Sequence, residues 1–437
     1  MINKATSFEF TSYTFIPENK QVVFYYATKF ADEKAMIWAE TVTLPEIPNM
    51  GHVSKEAINK LLQSLHIILG ISYYKFHCAP KIELPYPLSK KEIDFWNTVY
   101  QKGLGEFFYK NNLDPNISPK FSFSKENSQK DAEINADRRG SDFRVIPREI
   151  PRNSAIPTKI LVGVGGGKDS IVAAELLKEK EFDFTSFNVE TGKPSKIVDD
   201  IIKIINVGEL KIRRLLDGKV HEKHQYNGHI PISAIYAFLG IFACVLYKYN
   251  YFIVSNEHSS NFGNIQYKGL DVNHQWSKSF EFEMLFSDYL SHFISRDVGY
   301  FSLLRPFHEI RIVKMFADLG EKYSPYFSSC NSNFRVIPET GVPAKPATLA
   351  SGRELPRDSA TLWCGKCPKC VFVFTLLSAY LSKKNLLNIF KKNLYEREEL
   401  LPLFKDVLGF GNMKPFDCVG TFEEAQTALF LAKNSAV

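Results

Sequence analysis

Like charges never accumulate in this 437-residue chain. Lys and Arg exceed Asp and Glu by only 54 − 48 = 6, and no basic or acidic block runs along it, so composition gives no footprint for nucleic acid. A secretory leader is missing too. Behind Met1-Ile2-Asn3-Lys4 come Ser, Glu and Thr rather than an apolar stretch of about 7–15 residues, which points to a cytoplasmic protein. Long apolar runs are equally scarce. Only residues 230 to 247 go 18 positions without a charge, at the lower limit of about 18 for a membrane span. Pro231 and Ser233 interrupt that run and a polar stretch of His, Lys and Glu precedes it, so a buried helix is expected there and no membrane span. Apolar residues nonetheless make up 45% of the whole, which excludes disorder and coiled coil and suffices for two or three domains with a sizeable core.

The first 50 residues read as short strands, with Ser7 to Phe10 and Val22 to Tyr26 aromatic and β-branched. Helical spacing follows in Ala57, Ile58, Leu61, Leu62, Leu65, Ile68 and Leu69 behind a capping Ser54, and a second helix is expected over Lys90 to Tyr109. Residues 1–140 are thus an expected α+β N-terminal domain. From Asn112 to Thr158 the chain turns polar and Pro-rich, marking a boundary. A repeat lies inside it: Ser141 to Pro147 recurs as Ser332 to Pro338, and Arg148 to Ala155 recurs as Arg353 to Ala360. Two Pro/Arg-rich copies without apolar period cannot stack as a solenoid. They resemble translated palindromic elements, so 141–157 and 332–361 are expected to be inserted loops, with a duplicated binding loop as the alternative. On the insertion reading, deleting either copy leaves activity intact.

Lys159 to Val164 reads as a strand that runs into Gly165-Gly166-Gly167-Lys168-Asp169-Ser170 and then into the helical Ile171 to Leu177. Such a turn aims bare backbone N–H groups and a helix N-terminus at one point, which suits phosphate. It is not a P-loop, because three rather than four residues separate Gly163 from Gly167-Lys168 and Asp169 follows. Nor is it the dinucleotide fingerprint, since Lys168 stands where a third glycine belongs. The run resembles the SGGKDS signature of the PP-loop ATP pyrophosphatases, with Gly165 in place of the leading Ser. The resemblance implies ATP, backbone contacts from Gly165, Gly166 and Gly167, charge neutralisation by Lys168, Mg2+ at Asp169 and a pyrophosphate contact from Ser170. Phe184 to Val189 reads as the next parallel strand.

Cys364, Cys367 and Cys370 form a C-x2-C-x2-C run, and Cys330 lies upstream. Four thiolates in a cytosolic chain fit structural zinc, an iron–sulfur cluster, or unmetallated packed thiols. The deazaguanine-nitrile synthases of the PP-loop superfamily carry a similar arrangement, which implies Zn2+. Cys78 and Cys244 read as small core residues. Two polar blocks lie between the glycine turn and the cysteines. Ser255 to Asn264 follows the apolar strand Tyr251 to Val254 and therefore sits at the ligand edge of an open sheet. In Asn273 to Glu283, His274, Lys278 and Glu281 fall at i, i+4 and i+7, which on a helix is one face. Arg305 offers a further anion contact.

These blocks, with Tyr300 to Pro306, Trp363 to Cys370 and Lys414 to Gly420, together resemble the ATP-dependent UDP-N-acetylmuramoyl-L-alanyl-L-glutamate epimerases of bacterial peptidoglycan synthesis, over nearly the full chain. The resemblance implies an α/β fold. A PP-loop (adenine nucleotide alpha-hydrolase-like) parallel-sheet domain would occupy 158–382, with a C-terminal helical extension over 383–437. It also implies a chemistry. A carboxylate makes its neighbouring Cα–H a poor acid; conversion to an acyl-adenylate removes that charge, a base takes the proton, reprotonation inverts the centre, and AMP and pyrophosphate leave. The substrate would be UDP-MurNAc-L-Ala-L-Glu. His274 and Lys278 are then candidates for proton transfer, Glu257 or Glu281 for orienting them or binding metal, and Cys418 is a second candidate base. The alternative is a PP-loop enzyme acting on another carboxylate, such as a deazaguanine-nitrile synthase or an amide-forming ligase.

Overall fold

The computed structural model describes residues 4–48, 51–116, 120–121, 158–332, 362–411 and 413–434. Both copies of the Pro/Arg-rich repeat fall outside the described residues, apart from Ser332 at the start of the second. Strands β1 (Ala5–Ile16), β2 (Gln21–Phe30) and β3 (Met36–Thr43) open the chain, and α1 (Lys55–Tyr74) follows, with Ser54 accepting from the Ala57 N–H as expected. After β4 (Ile82–Glu83) come α2 (Lys90–Gly103) and α3 (Gly105–Lys110). The single helix expected over Lys90 to Tyr109 is therefore two. The break falls at Leu104 between two glycines, where a Cβ on Gly103 would meet Pro231 at 2.8 Å. The next elements are β5 (Ile160–Gly163), α4 (Lys168–Glu179), β6 (Phe184–Thr191), α5 (Lys196–Ile205), β7 (Gly208–Leu215), α6 (Ile232–Tyr247) and β8 (Tyr251–Val254). A small hairpin of β9 (Ile265–Tyr267) and β10 (Leu270–Val272) precedes α7 (Phe280–Phe293), β11 (Gly299–Ser302) and α8 (Glu309–Asp318). Helices α9 (Pro368–Ser378), α10 (Lys383–Phe390), α11 (Leu401–Val407) and α12 (Phe422–Asn434) complete the chain.

Nine strands form one sheet in the order β11-β8-β5-β6-β7-β3-β2-β1-β4, parallel from β11 to β7 and antiparallel from β7 to β1. The α/β expectation is met. The expected strands at Phe184 and Tyr251 pair with β5 on either side of it. The N-terminal strands join the same sheet, because β3 pairs with β7 from Thr41 to Thr43. Across that seam Arg214 donates to Glu40 at 2.6 and 3.2 Å and to Ser72 at 2.8 Å. All of the guanidinium and carboxylate are buried, so each neutralises what would otherwise be a lone interior charge.

Strand alternation divides the core into two layers. Leu161, Phe187, Phe252 and Tyr300 face α1, α2, α6 and α7, while Ile160, Val162, Ile253 and Phe301 face α4, α5, α8 and α9. The charge-free run becomes α6, a buried helix as expected. Its Gly240 lies so close to the sheet that an added Cβ would meet the Phe252 ring at 2.2 Å. Among the described residues no helix is long and apolar enough to cross a membrane. Chain order reverses at β5, since β6 and β7 extend one way and β8 and β11 the other. That reversal opens a crevice at the carboxyl ends of the parallel strands, where ligands of open α/β sheets bind.

Candidate active site

The glycine turn occupies the crevice. Val164 donates from its backbone to Phe187 at 2.8 Å, Gly166 takes φ +80°, and Gly167 caps α4. A Cβ on Gly166 would meet Ile197 at 2.9 Å, so the left-handed turn also lets α5 approach. Gly165 is different: it is exposed, and a Cβ there would have no heavy atom within 4 Å. It faces a cavity of about 530 Å³ lined by the turn, Asn188 to Thr191, Ser255, Asn256, Lys278, Ser328, Ser329, Lys369 and Cys418. The hydroxyls of Ser255 and Ser329 are buried there without a hydrogen-bond partner among the described residues. The backbone carries Ser329 to within 3.6 Å of a Cβ built on Gly167, so a hydroxyl returns beside the turn although Gly165 lacks one.

Three carboxylates converge below the turn. One oxygen each of Asp169, Glu257 and Glu309 lies within 4.8 Å of the others. Lys168 is buried among them, 2.5 Å from Asp169 and 2.9 Å from Glu309. Burial alone would lower Lys168, but the two carboxylates outweigh it and hold the ammonium charged. Burial likewise opposes ionisation of Glu309, yet Lys168 and Lys369 hold it down at about 2. Glu257 goes the other way: burial first, then the Glu309 charge, pushes it up to about 7. Oε2 of Glu309 is buried without a hydrogen-bond partner among the described residues. An all-oxygen set with an unpartnered oxygen and a carboxyl poised to ionise fits a hard cation such as Mg2+.

A second group lines the same cavity through Lys278 and Cys418. Cys418 Sγ lies 3.4 Å from Lys278 Nζ and 3.7 Å from His274 Nε2. The other ring nitrogen of His274 meets Glu106 Oε2 at 2.5 Å, and the His229 ring, which burial pushes well below the usual imidazole range, packs on it at a 45° tilt with centroids 4.4 Å apart. Burial would raise the Cys418 thiol, but the Lys278 ammonium and His274 outweigh it and hold it at about 5. Burial would lower His274, but its bonds to Cys418 and Glu106 push it up to about 10. The resting group is therefore thiolate beside imidazolium, the arrangement of an activated nucleophile whose base is held by a third residue. Lys369 joins the two groups, lying 3.5 Å from Glu309 and donating to the Cys418 carbonyl.

Of the residues singled out in the sequence, Gly165, Gly167, Asp169, Ser170, Lys278 and Cys418 line this cavity, with Lys168 and Glu257 clustered on Asp169 and His274 on Cys418. The helix reading of His274, Lys278 and Glu281 fails. His274 precedes a single 3-10 turn over Trp276–Lys278, and Ser279 caps α7 by accepting from Phe282 N–H. The face therefore never forms, and Glu281 is an exposed residue paired with Lys102 and with the Trp276 ring N–H. Ser170 points back to the Gly167 carbonyl at 3.0 Å. Arg305 is structural: it binds Glu283 and the carbonyls of Glu257 and Lys278, fixing both polar blocks to one another. Glu106, His229, Ser329 and Lys369 were missed as site residues. Lys369 had a signal, since it sits inside the cysteine run; Glu106 and His229 had none.

The four cysteines do come together. Their sulfurs lie within 4.8 Å of one another, with separations of 3.5, 3.7 and 4.0 Å, and the Cys364 N–H points to Cys330 Sγ. Four sulfurs about 2.3 Å from one tetrahedral ion would stand about 3.8 Å apart. The cluster abuts the glycine turn, because the Ser328 N–H donates to the Gly166 carbonyl at 3.1 Å, two residues before Cys330.

The profile of the MurL N-terminal domain matches residues 1–303, and that of the MurL C-terminal domain matches residues 326–436. This chain belongs to the MurL family. Three relatives carry the name UDP-N-acetyl-alpha-D-muramoyl-L-alanyl-L-glutamate epimerase. The protein of Xanthomonas oryzae pv. oryzae is 32% identical over 403 residues, covering 91% of this chain and 80% of its own. That of Micromonospora sp. is 31% identical, covering 98% and 87%, and that of Salinispora tropica 30%, covering 98% and 85%. A solved chain described as a predicted subunit of tRNA methyltransferase from Methanocaldococcus jannaschii superposes with TM-score 0.26 and 20% identity over 37% of this MurL chain and 76% of its own.

Proposed function

We propose that this MurL-family chain epimerises the terminal L-Glu of UDP-MurNAc-L-Ala-L-Glu to D-Glu, consuming ATP and releasing AMP and pyrophosphate. The observation that carries the reading is one cavity lined both by a glycine turn with Asp169 and by Cys418 with Lys278. The first suits binding of ATP phosphates and adenylation of a carboxylate; the second suits chemistry at the acyl group so formed. Charge logic joins the two. A free α-carboxylate would repel an adjacent carbanion, and adenylation removes that charge before the Cα proton is taken.

In this mechanism Gly165 to Gly167 present their N–H groups to phosphate and Lys168 supplies a fixed positive charge. Asp169, Glu257 and Glu309 are the residues that would hold Mg2+, which would neutralise phosphate charge. Lys278 and Lys369 stand where negative charge develops on the reacting carbonyl. His274, oriented by Glu106, is the base beside Cys418. Cys330, Cys364, Cys367 and Cys370 are proposed to hold a structural zinc ion that fixes Ser328 to Asn331 and Lys369 against the cavity. Metal analysis of the purified chain is expected to give one zinc per protein, lost on Cys364→Ser. Incubation with ATP, Mg2+ and UDP-MurNAc-L-Ala-L-Glu is expected to yield AMP, pyrophosphate and D-Glu in equal amounts. Absence of both AMP and D-Glu overturns the assignment.

A further inference from the structure

Two groups that work on opposite faces of one Cα, each within hydrogen-bond reach, stand about 6 Å apart across it. Cys418 cannot form such a pair with either neighbour, because Lys278 lies 3.4 Å and His274 3.7 Å from its sulfur. All three act from one side of the substrate. What the side chains do build is a nucleophile with its base and orienting acid: Cys418, His274 and Glu106, with His274 held by Glu106 at 2.5 Å through the ring nitrogen opposite the sulfur. Cys418 lines the same cavity as the glycine turn.

We propose that Cys418 is a covalent catalyst, taking the acyl group from the adenylate as a thioester before the Cα proton is removed. The inference rests on the adenylation reading above. The thiolate sulfur adds to the adenylate carbonyl, the carbonyl–oxygen bond to AMP breaks, and AMP leaves with the proton of His274 on its phosphate. That proton transfer follows from the charge balance. The bond to the thiolate is the strongest of the influences that keep His274 protonated, and acylation neutralises the sulfur. His274 is then a free base, and the substrate Cα is two bonds from the sulfur it flanks. It removes the proton while Lys278 faces the developing enolate oxygen. A water molecule on the other face gives its proton to Cα, forming the D centre, and the hydroxide so formed adds to the thioester carbonyl, releasing the D-Glu carboxylate and one proton to solvent and restoring the thiolate beside the His274 imidazolium. The sum is ATP and water converted to AMP and pyrophosphate for each passage.

The test is an acid quench of the holoenzyme during turnover with ATP, Mg2+ and UDP-MurNAc-L-Ala-L-Glu, followed by intact and peptide mass spectrometry. The expected result is an adduct of the substrate less water on the Cys418 peptide, cleaved by neutral hydroxylamine. Cys418→Ala is expected to retain substrate-dependent pyrophosphate–ATP exchange and to lose D-Glu formation by 10³-fold or more. Exchange in that variant also reports that it is folded. Cys418→Ser is expected to accumulate an acid-stable ester at the same peptide. An unmodified Cys418 peptide in an enzyme that makes AMP and D-Glu overturns the thioester and leaves the adenylation standing. So does a Cys418→Ala enzyme within tenfold of normal D-Glu formation. No exchange and no AMP in the unsubstituted enzyme sinks the adenylation reading itself, and the thioester with it.

Discussion

A thiol between an ammonium and an imidazolium titrates far from the range of a free cysteine, near 8.5. Cys418 is held at about 5, so its thiolate persists across the whole interval from there to the ordinary value. Iodoacetamide labelling of the Cys418 peptide is therefore expected to keep its rate down to about pH 5 and to fall only below it. His274→Gln is expected to move that midpoint upward; a midpoint near 8.5 in the unsubstituted chain would contradict the ion pair. Lys168 makes a different point. It is the buried cation between Asp169 and Glu309, and Lys168→Met leaves those carboxylates without it. AMP formation is expected to fall by about 10²–10³-fold or more, and stability by about 3–5 kcal/mol in denaturant melts without divalent cation. Neither role was fully legible in sequence. Lys168 announced itself within its motif, whereas Cys418 depends on Lys278, 140 positions away.

Among the elements, the glycine turn separates backbone need from ligand need. Gly166→Ala puts a side chain at φ +80° and 2.9 Å from Ile197, with an expected cost of about 1–3 kcal/mol. Gly165→Ser meets no neighbour within 4 Å, so its unfolding midpoint is expected to stay within about 0.5 kcal/mol of the original. Equal destabilisation by both changes would show that the turn does not leave the Gly165 side open. The strand, turn and helix here were readable because each rests on neighbouring residues: a β-branched run, a glycine where the backbone turns left-handed at Gly166, and an apolar helix face. The block around His274 was misread for a complementary reason. A spacing of i, i+4 and i+7 describes a face only if the helix exists, and Ser279 followed by Glu281 in the first turn is the stronger signal, starting the helix after Lys278. The split between α2 and α3 was similarly written in Gly103 and Gly105.

At the scale of the whole molecule the nine-stranded sheet carries the site, and its β3–β7 seam is held by one buried ion pair. Arg214→Met is expected to lower stability by about 3–5 kcal/mol because Glu40 is left charged and alone in the interior. Glu40→Leu combined with Arg214→Met is expected to recover most of that loss, measured as a double-mutant cycle. A single change costing under about 0.5 kcal/mol would mean that water reaches the seam. The order of the strands also explains what could be known early. Hydrophobic alternation, the glycine turn, the cap at Ser54 and the cysteine spacing are local in the chain, so the sequence by itself determined individual strands and helices, the glycine turn that joins β5 to α4, and the spacing of three of the four clustered sulfurs. Strand order is not local. Only the folded sheet, reversing direction at β5, brings Glu106, His274, Lys278 and Cys418 from three distant segments into one group and Glu309 beside Lys168 and Asp169 in the other. Their chemistry comes from charges brought within hydrogen-bonding distance away from water, and no residue carries that property before its partners arrive.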